Sequence, residues 1–65
     1  MTAEEKVKQV YPKAHLYRYA LGNFREYRIF RSKRSKFELS DWRRRPEYAW
    51  ADAWRNIQKQ QATQQ

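Results

Sequence analysis

Arg18, Arg25, Arg28, Arg31, Lys33, Arg34 and Lys36 alternate along one stretch of the chain with Tyr17, Tyr19, Phe24, Tyr27 and Phe30. Cations hold phosphates and flat rings stack on bases, so this interleaving suits a nucleic-acid surface better than a reaction centre. A second basic group, Arg43-Arg44-Arg45, runs directly into Pro46. Arginines beside a helix N-terminus add to the positive end of the helix dipole and draw phosphate or carboxylate. Packing accounts for part of the same pattern: rings on one face form core, while arginine stems lie across rings on the other. The run from Arg31 to Lys36 holds no apolar residue, so it reads as a binding turn or as plain solubility.

Catalytic chemistry has little to draw on. The acids Glu26, Glu38, Asp41, Glu47 and Asp52 each lie near arginines, and His15 is the sole histidine. One glycine precludes a glycine-rich phosphate loop, and the absence of cysteine removes disulfides and thiolate metal sites. The expectation is no enzyme, no cofactor and no metal.

The elements that must position these residues can be read from their periods. The chain has 65 residues and a net charge of +8, with three Trp, five Tyr and three Phe. A chain of this size supports one core, and that core must be aromatic. Thr2 and Glu5 have the spacing of a capping box. They open a short helix whose apolar stripe is Ala3, Val7 and Val10, ended before Pro12.

From His15 the period changes to two. His15 to Leu21 and Phe24 to Phe30 flank Gly22-Asn23 and read as a β-hairpin, in which Leu21 pairs with Phe24 and Leu16 with Ile29. One face then carries Tyr17, Tyr19, Leu21, Phe24, Glu26, Arg28 and Phe30, and the other Leu16, Arg18, Ala20, Arg25, Tyr27 and Ile29. Phe37-Glu38-Leu39 resumes the alternation as a third strand, whose face depends on whether the basic turn is odd or even in length.

The last element begins at Pro46, with Arg45 at the N-cap position. Trp50, Ala53, Trp54 and Ile57 fall at i, i+3, i+4 and i+7 on one stripe. Trp50 is core on this reading; Trp54 stands at the stripe's edge, either core or a partner anchor. The expected architecture is α+β in the order αβββα: a short helix, a three-stranded antiparallel sheet, and a C-terminal amphipathic helix packed on it. Residues 1–60 form a single small domain, and 61–65 a disordered glutamine-rich tail.

The residues Leu16-Tyr17-Arg18-Tyr19, Phe24-Arg25-Glu26-Tyr27-Arg28-Ile29, Lys36-Phe37-Glu38-Leu39 and Pro46 to Ala53 resemble the arm-binding domain of tyrosine recombinases. The resemblance covers about two thirds of the chain. It implies a sheet laid in the DNA major groove with a helix behind it, and contacts from Arg18, Arg25, Arg28 and Lys33. The Tyr-Arg-Ile strand and the helix Pro46 to Ala53 also resemble small phage and prophage proteins of unassigned function.

The functional expectation is a small basic nucleic-acid-binding protein of phage type. DNA is placed ahead of RNA, and phosphates are held by Arg18, Arg25, Arg28, Arg31, Lys33, Arg34, Lys36, Arg43, Arg44 and Arg45. The alternative is a protein-binding module or inhibitor that docks Tyr17, Tyr19 and Trp54 on an acidic host protein, and a bare aromatic face would also favour a homodimer. No apolar run has the length of a membrane span, and Met1-Thr2-Ala3-Glu4-Glu5 lacks the features of a signal peptide, so a cytoplasmic protein is expected.

Overall fold

A computed structural model describes residues 1–63, with side chains through 60. Helix α1 spans Ala3–Val10, strand β1 His15–Leu21, strand β2 Phe24–Phe30 and helix α2 Pro46–Thr63. Of the disordered tail expected over 61–65, residues 61–63 are the end of α2, and 64 and 65 lie outside the described residues. Among the described residues, no helix is long and apolar enough to cross a membrane.

Local chemistry explains each boundary. The Thr2 hydroxyl accepts the Glu5 N–H at 3.2 Å, and the Glu5 carboxylate reaches back toward the Thr2 N–H, which closes the capping box. Of the expected α1 stripe, Val7 is fully buried and Ala3 half-buried, but Val10 is exposed because α1 ends there. The hairpin has the expected register, from Leu21 opposite Phe24 to His15 opposite Phe30. Gly22 has φ +62° and Asn23 does not enter the positive region, the arrangement of a tight turn with glycine at its first central position.

The third strand is not formed, and the sheet has two strands rather than three. The segment after β2 does run back along its free edge, but it meets β2 only at two isolated bridges, Phe30 with Glu38 and Tyr27 with Arg43. Three steps along β2 are therefore opposed by five along the crossing segment. The two extra residues lift Ser40, Asp41 and Trp42 out of register, and a ladder cannot close across them.

Side chains take over the hydrogen bonds that the ladder would have made. The Ser40 hydroxyl accepts the Ile29 N–H at 2.9 Å, Arg28 donates to the Ser40 carbonyl at 3.0 Å, and Asn56 donates to the Leu39 carbonyl at 2.9 Å. The Asp41 N–H is taken by the Asp52 carboxylate at 3.0 Å. These four backbone groups are satisfied without a strand. The basic turn, from Arg31 to Phe37, is odd in length, so Leu39 joins the face of Ile29 and Tyr27.

That face is the core. Val7, Ala14, Ile29, Leu39, Ala49, Trp50, Ala53 and Ile57 are buried together, with Leu16, Tyr27 and Trp54 packed at the margin, so the core is mainly aliphatic around Trp50 and not the aromatic one expected. Helix α2 lies on β2 and α1 lies along α2. Alanines 49 and 53 on the inner face of α2 let the helix approach closely, and Trp50, only 7% exposed, fills the space beside them.

Candidate functional site

Both helices serve one face of the hairpin, which leaves the other uncovered. On that open side stand Tyr17, Tyr19 and Leu21 from β1, and Phe24, Glu26, Arg28 and Phe30 from β2. Tyr17 is 49% and Tyr19 45% exposed, although both are large rings that the core could have used. Trp42, brought over by the two-residue excess in the crossing segment, completes the cluster at 36% exposure. Its ring centroid lies 6.0 Å from that of Tyr17 and 6.1 Å from that of Tyr19. Tyr17 also meets Phe30 edge to face at 6.0 Å. These contacts hold the rings at steep angles to each other, with much of their surface in water.

The charges around the rings divide into two groups. Arg28 is committed to structure: it lies 5.3 Å from the Trp42 ring centroid, pairs with Glu38 at 3.3 Å and donates to Ser40. Arg43 likewise pairs with the buried Asp52 at 3.1 Å and exchanges backbone hydrogen bonds with Tyr27. Arg31 lies over Tyr11, 5.1 Å from its centroid, and Arg45 approaches Glu47 at 3.8 Å. In contrast, Arg18, Arg25, Lys33, Arg34, Lys36 and Arg44 take part in no ion pair among the described residues.

Lys33 and Lys36 share a shallow hollow of about 290 Å³ with His15, Tyr17 and Phe30, at one end of the ring cluster. At the other end the Arg44 guanidinium lies 5.6 Å from the Phe24 ring centroid. Cations thus stand at both ends of the open face. Arg18 and Arg25 share the face of Leu16 and Ile29 but are exposed, because the helices leave the hairpin tip uncovered.

The three consecutive arginines are not a single anion site. Arg43 faces α2, Arg44 faces the open sheet surface, and Arg45 supplies the carbonyl that accepts the Ala49 N–H at the start of α2. Nor does the structure bring Trp54 together with Tyr17 and Tyr19. Trp54 is half-buried against the core on the far side of the sheet, with the Lys6 ammonium 5.9 Å from its ring centroid.

Two residues outside the expected site matter most to its construction. Trp42 is part of the ring cluster, and Asp52 anchors the segment that carries it. Burial pushes the Asp52 carboxyl up, but the Asp41 N–H and the guanidinium of Arg43 outweigh it and hold the group below the usual carboxylate range. Among the described residues, no group of three or more acidic, histidine or cysteine side chains is placed to hold a metal ion. No family model, curated protein or solved structure matches the chain.

Proposed function

We propose that this chain is a small phage-type protein that binds nucleic acid, DNA ahead of RNA, through the open face of its hairpin. Lys33, Lys36 and Arg44 hold phosphates at the ends of the ring cluster, and Arg18 and Arg25 extend the basic surface around the hairpin tip. The observation that carries this reading is the uncovered cluster of Tyr17, Tyr19 and Trp42 with unpaired cations at both ends. A domain this small leaves rings in water at a cost to its own stability, so their exposure asks for a ligand. A cytoplasmic, non-catalytic role accompanies the proposal, because a polynucleotide is met there and binding requires no reaction.

Fluorescence anisotropy with a labelled 20-nucleotide DNA, single-stranded and duplex, tests it between 50 and 200 mM salt. If about five cations engage, affinity falls roughly 100- to 500-fold across that range. Absence of binding at low salt, or a flat salt response, sinks the proposal. Glu26 and Glu38 favour a second reading, in which the same face docks on a host protein as a module or inhibitor. A phosphate strand must avoid these two carboxylates, and a mixed protein surface need not. Capture of a partner that survives nuclease treatment, and is lost on Tyr19→Ala, would establish it.

A further inference from the structure

The alternation of β1 sets a length scale on the open face. Tyr17 and Tyr19 are two residues apart on one strand and point to the same side, so their backbones are separated by roughly 6.8 Å along the strand. Successive nucleotides of one strand in duplex DNA rise by only about 3.4 Å. A stacked duplex therefore cannot set neighbouring bases against both rings. A strand with its bases unstacked, stretched to about twice the duplex rise, can do so.

Resting on the nucleic-acid reading above, we infer that the ligand of this face is single-stranded, with unpaired bases stacked on Tyr17 and Tyr19 beside Trp42 and the backbone running along β1. Charge complementarity supports the same occupant. Lys33 and Lys36 stand at the His15 end of β1, while Arg44 stands over Phe24 beside the hairpin turn. A strand laid along β1 meets Lys33 and Lys36 at its start and rings beyond them, with Arg44 standing across β2 at the far end. The two carboxylates of the face, Glu26 and Glu38, lie on β2 and on the crossing segment. They are on the opposite side of the ring row from the outer edge of β1, and Glu38 is already paired with Arg28. A strand whose phosphates keep to the β1 edge avoids both.

This assignment differs from the one that the recombinase resemblance implies. There the sheet enters the major groove of a duplex with a helix behind it, and Arg18, Arg25, Arg28 and Lys33 make the contacts. Here the face away from the helices presents rings, and ring faces have no access to bases inside an intact stack. The committed position of Arg28, pinned between Trp42, Glu38 and Ser40, also withdraws one of the residues that such a mode would use.

The test compares a labelled 15-nucleotide oligothymidylate with a 15-base-pair duplex at 50 mM salt, using the full chain. The expected result is at least tenfold tighter binding of the single strand. Tyr19→Ala lowers that affinity by roughly five- to 150-fold, the range for loss of one stacked base, while Tyr19→Phe retains it within about twofold. Oligothymidylate also quenches tryptophan fluorescence, and the quench disappears in Trp42→Phe but persists in Trp54→Phe. Thermal melts of each variant separate loss of binding from loss of fold. Duplex binding as tight as, or tighter than, single-strand binding overturns the inference and leaves the nucleic-acid reading standing. Equal loss in Tyr19→Phe and Tyr19→Ala, with both folded, also overturns it. Binding of neither ligand removes both the inference and the reading beneath it.

Discussion

The Asp52 carboxylate of α2 accepts from the Asp41 N–H through one oxygen, at 3.0 Å, and from the Arg43 guanidinium through the other, at 3.1 Å. Asp52 is nearly buried, and both of its partners belong to the segment that crosses back along β2. A single helical side chain thereby fixes the two ends of the excursion that carries Trp42 to the open face. The helix does more than cover the core: it sets the shape of the surface on the other side of the sheet.

Removal of that carboxylate should loosen the crossing segment. Asp52→Ala leaves the Asp41 N–H without its acceptor and Arg43 without its counter-charge, for an expected loss of about 1–3 kcal/mol. Arg43 is partly in water, which keeps the figure below that of a fully buried pair. Asp52→Asn can still accept from the Asp41 N–H and should lose less. Urea unfolding of the three proteins measures the order, and equal stability of wild type and Asp52→Ala would refute this role.

The same carboxylate gives the fold a dependence on acid. Its folded-state pKa lies below its ordinary value, so the contribution is fully present above the unfolded pKa, about 3.9, and is lost as pH falls through the folded value. The stability gap between wild type and Asp52→Asn should therefore be constant from pH 7 to about 5 and shrink below about 4. Chemical denaturation at a series of pH values reads this directly. A gap that widens on acidification would contradict the assignment.

Trp50 and Trp54 are one turn apart on α2 but should differ in what they hold up. Trp50 is buried among Ala49, Ala53 and Ile29, and its truncation to alanine should cost about 3–5 kcal/mol, much of a small domain's total. Trp54 is half-buried at the core's margin under Lys6, so Trp54→Ala should cost roughly half as much. Circular dichroism melts should show Trp50→Ala largely unfolded at 25 °C and Trp54→Ala folded. The reverse order would mean that the core is centred elsewhere.

The elements with local determinants were legible in the sequence. Thr2 and Glu5 announce α1, Gly22-Asn23 sets the hairpin register, and the apolar stripe from Trp50 to Ile57 announces α2. The third strand was not legible as it stands, because Phe37, Glu38 and Leu39 alternate like a strand and nothing within them signals the mismatch that follows. That mismatch arises at Ser40, Asp41 and Trp42, where the Ser40 hydroxyl, the Asp41 N–H and the Trp42 ring find partners on β2, α2 and β1 only in the folded chain. The candidate site shows the same division. Cations and rings were visible as types, but Arg28 and Arg43 are sorted into structure, and Lys33, Lys36 and Arg44 into the open rim, by contacts from distant parts of the chain.

Ser40 tests whether side chains really stand in for the missing ladder. Its hydroxyl accepts the Ile29 N–H at 2.9 Å and donates to the Asp41 carbonyl at 3.1 Å, and the residue is buried. Ser40→Ala deletes the acceptor and strands a buried backbone donor, an expected cost of about 1–3 kcal/mol. Ser40→Thr keeps the hydroxyl and should retain the bond, less any strain from the added methyl. Hydrogen exchange at Ile29 is the specific readout, since a merely smaller side chain would not single out that amide. In Ser40→Ala its protection should fall further than that of Tyr27, whose N–H is held by the Arg43 carbonyl and does not depend on Ser40. A uniform fall at both amides would trace the effect to global stability and dismiss the substitution of hydroxyl for ladder.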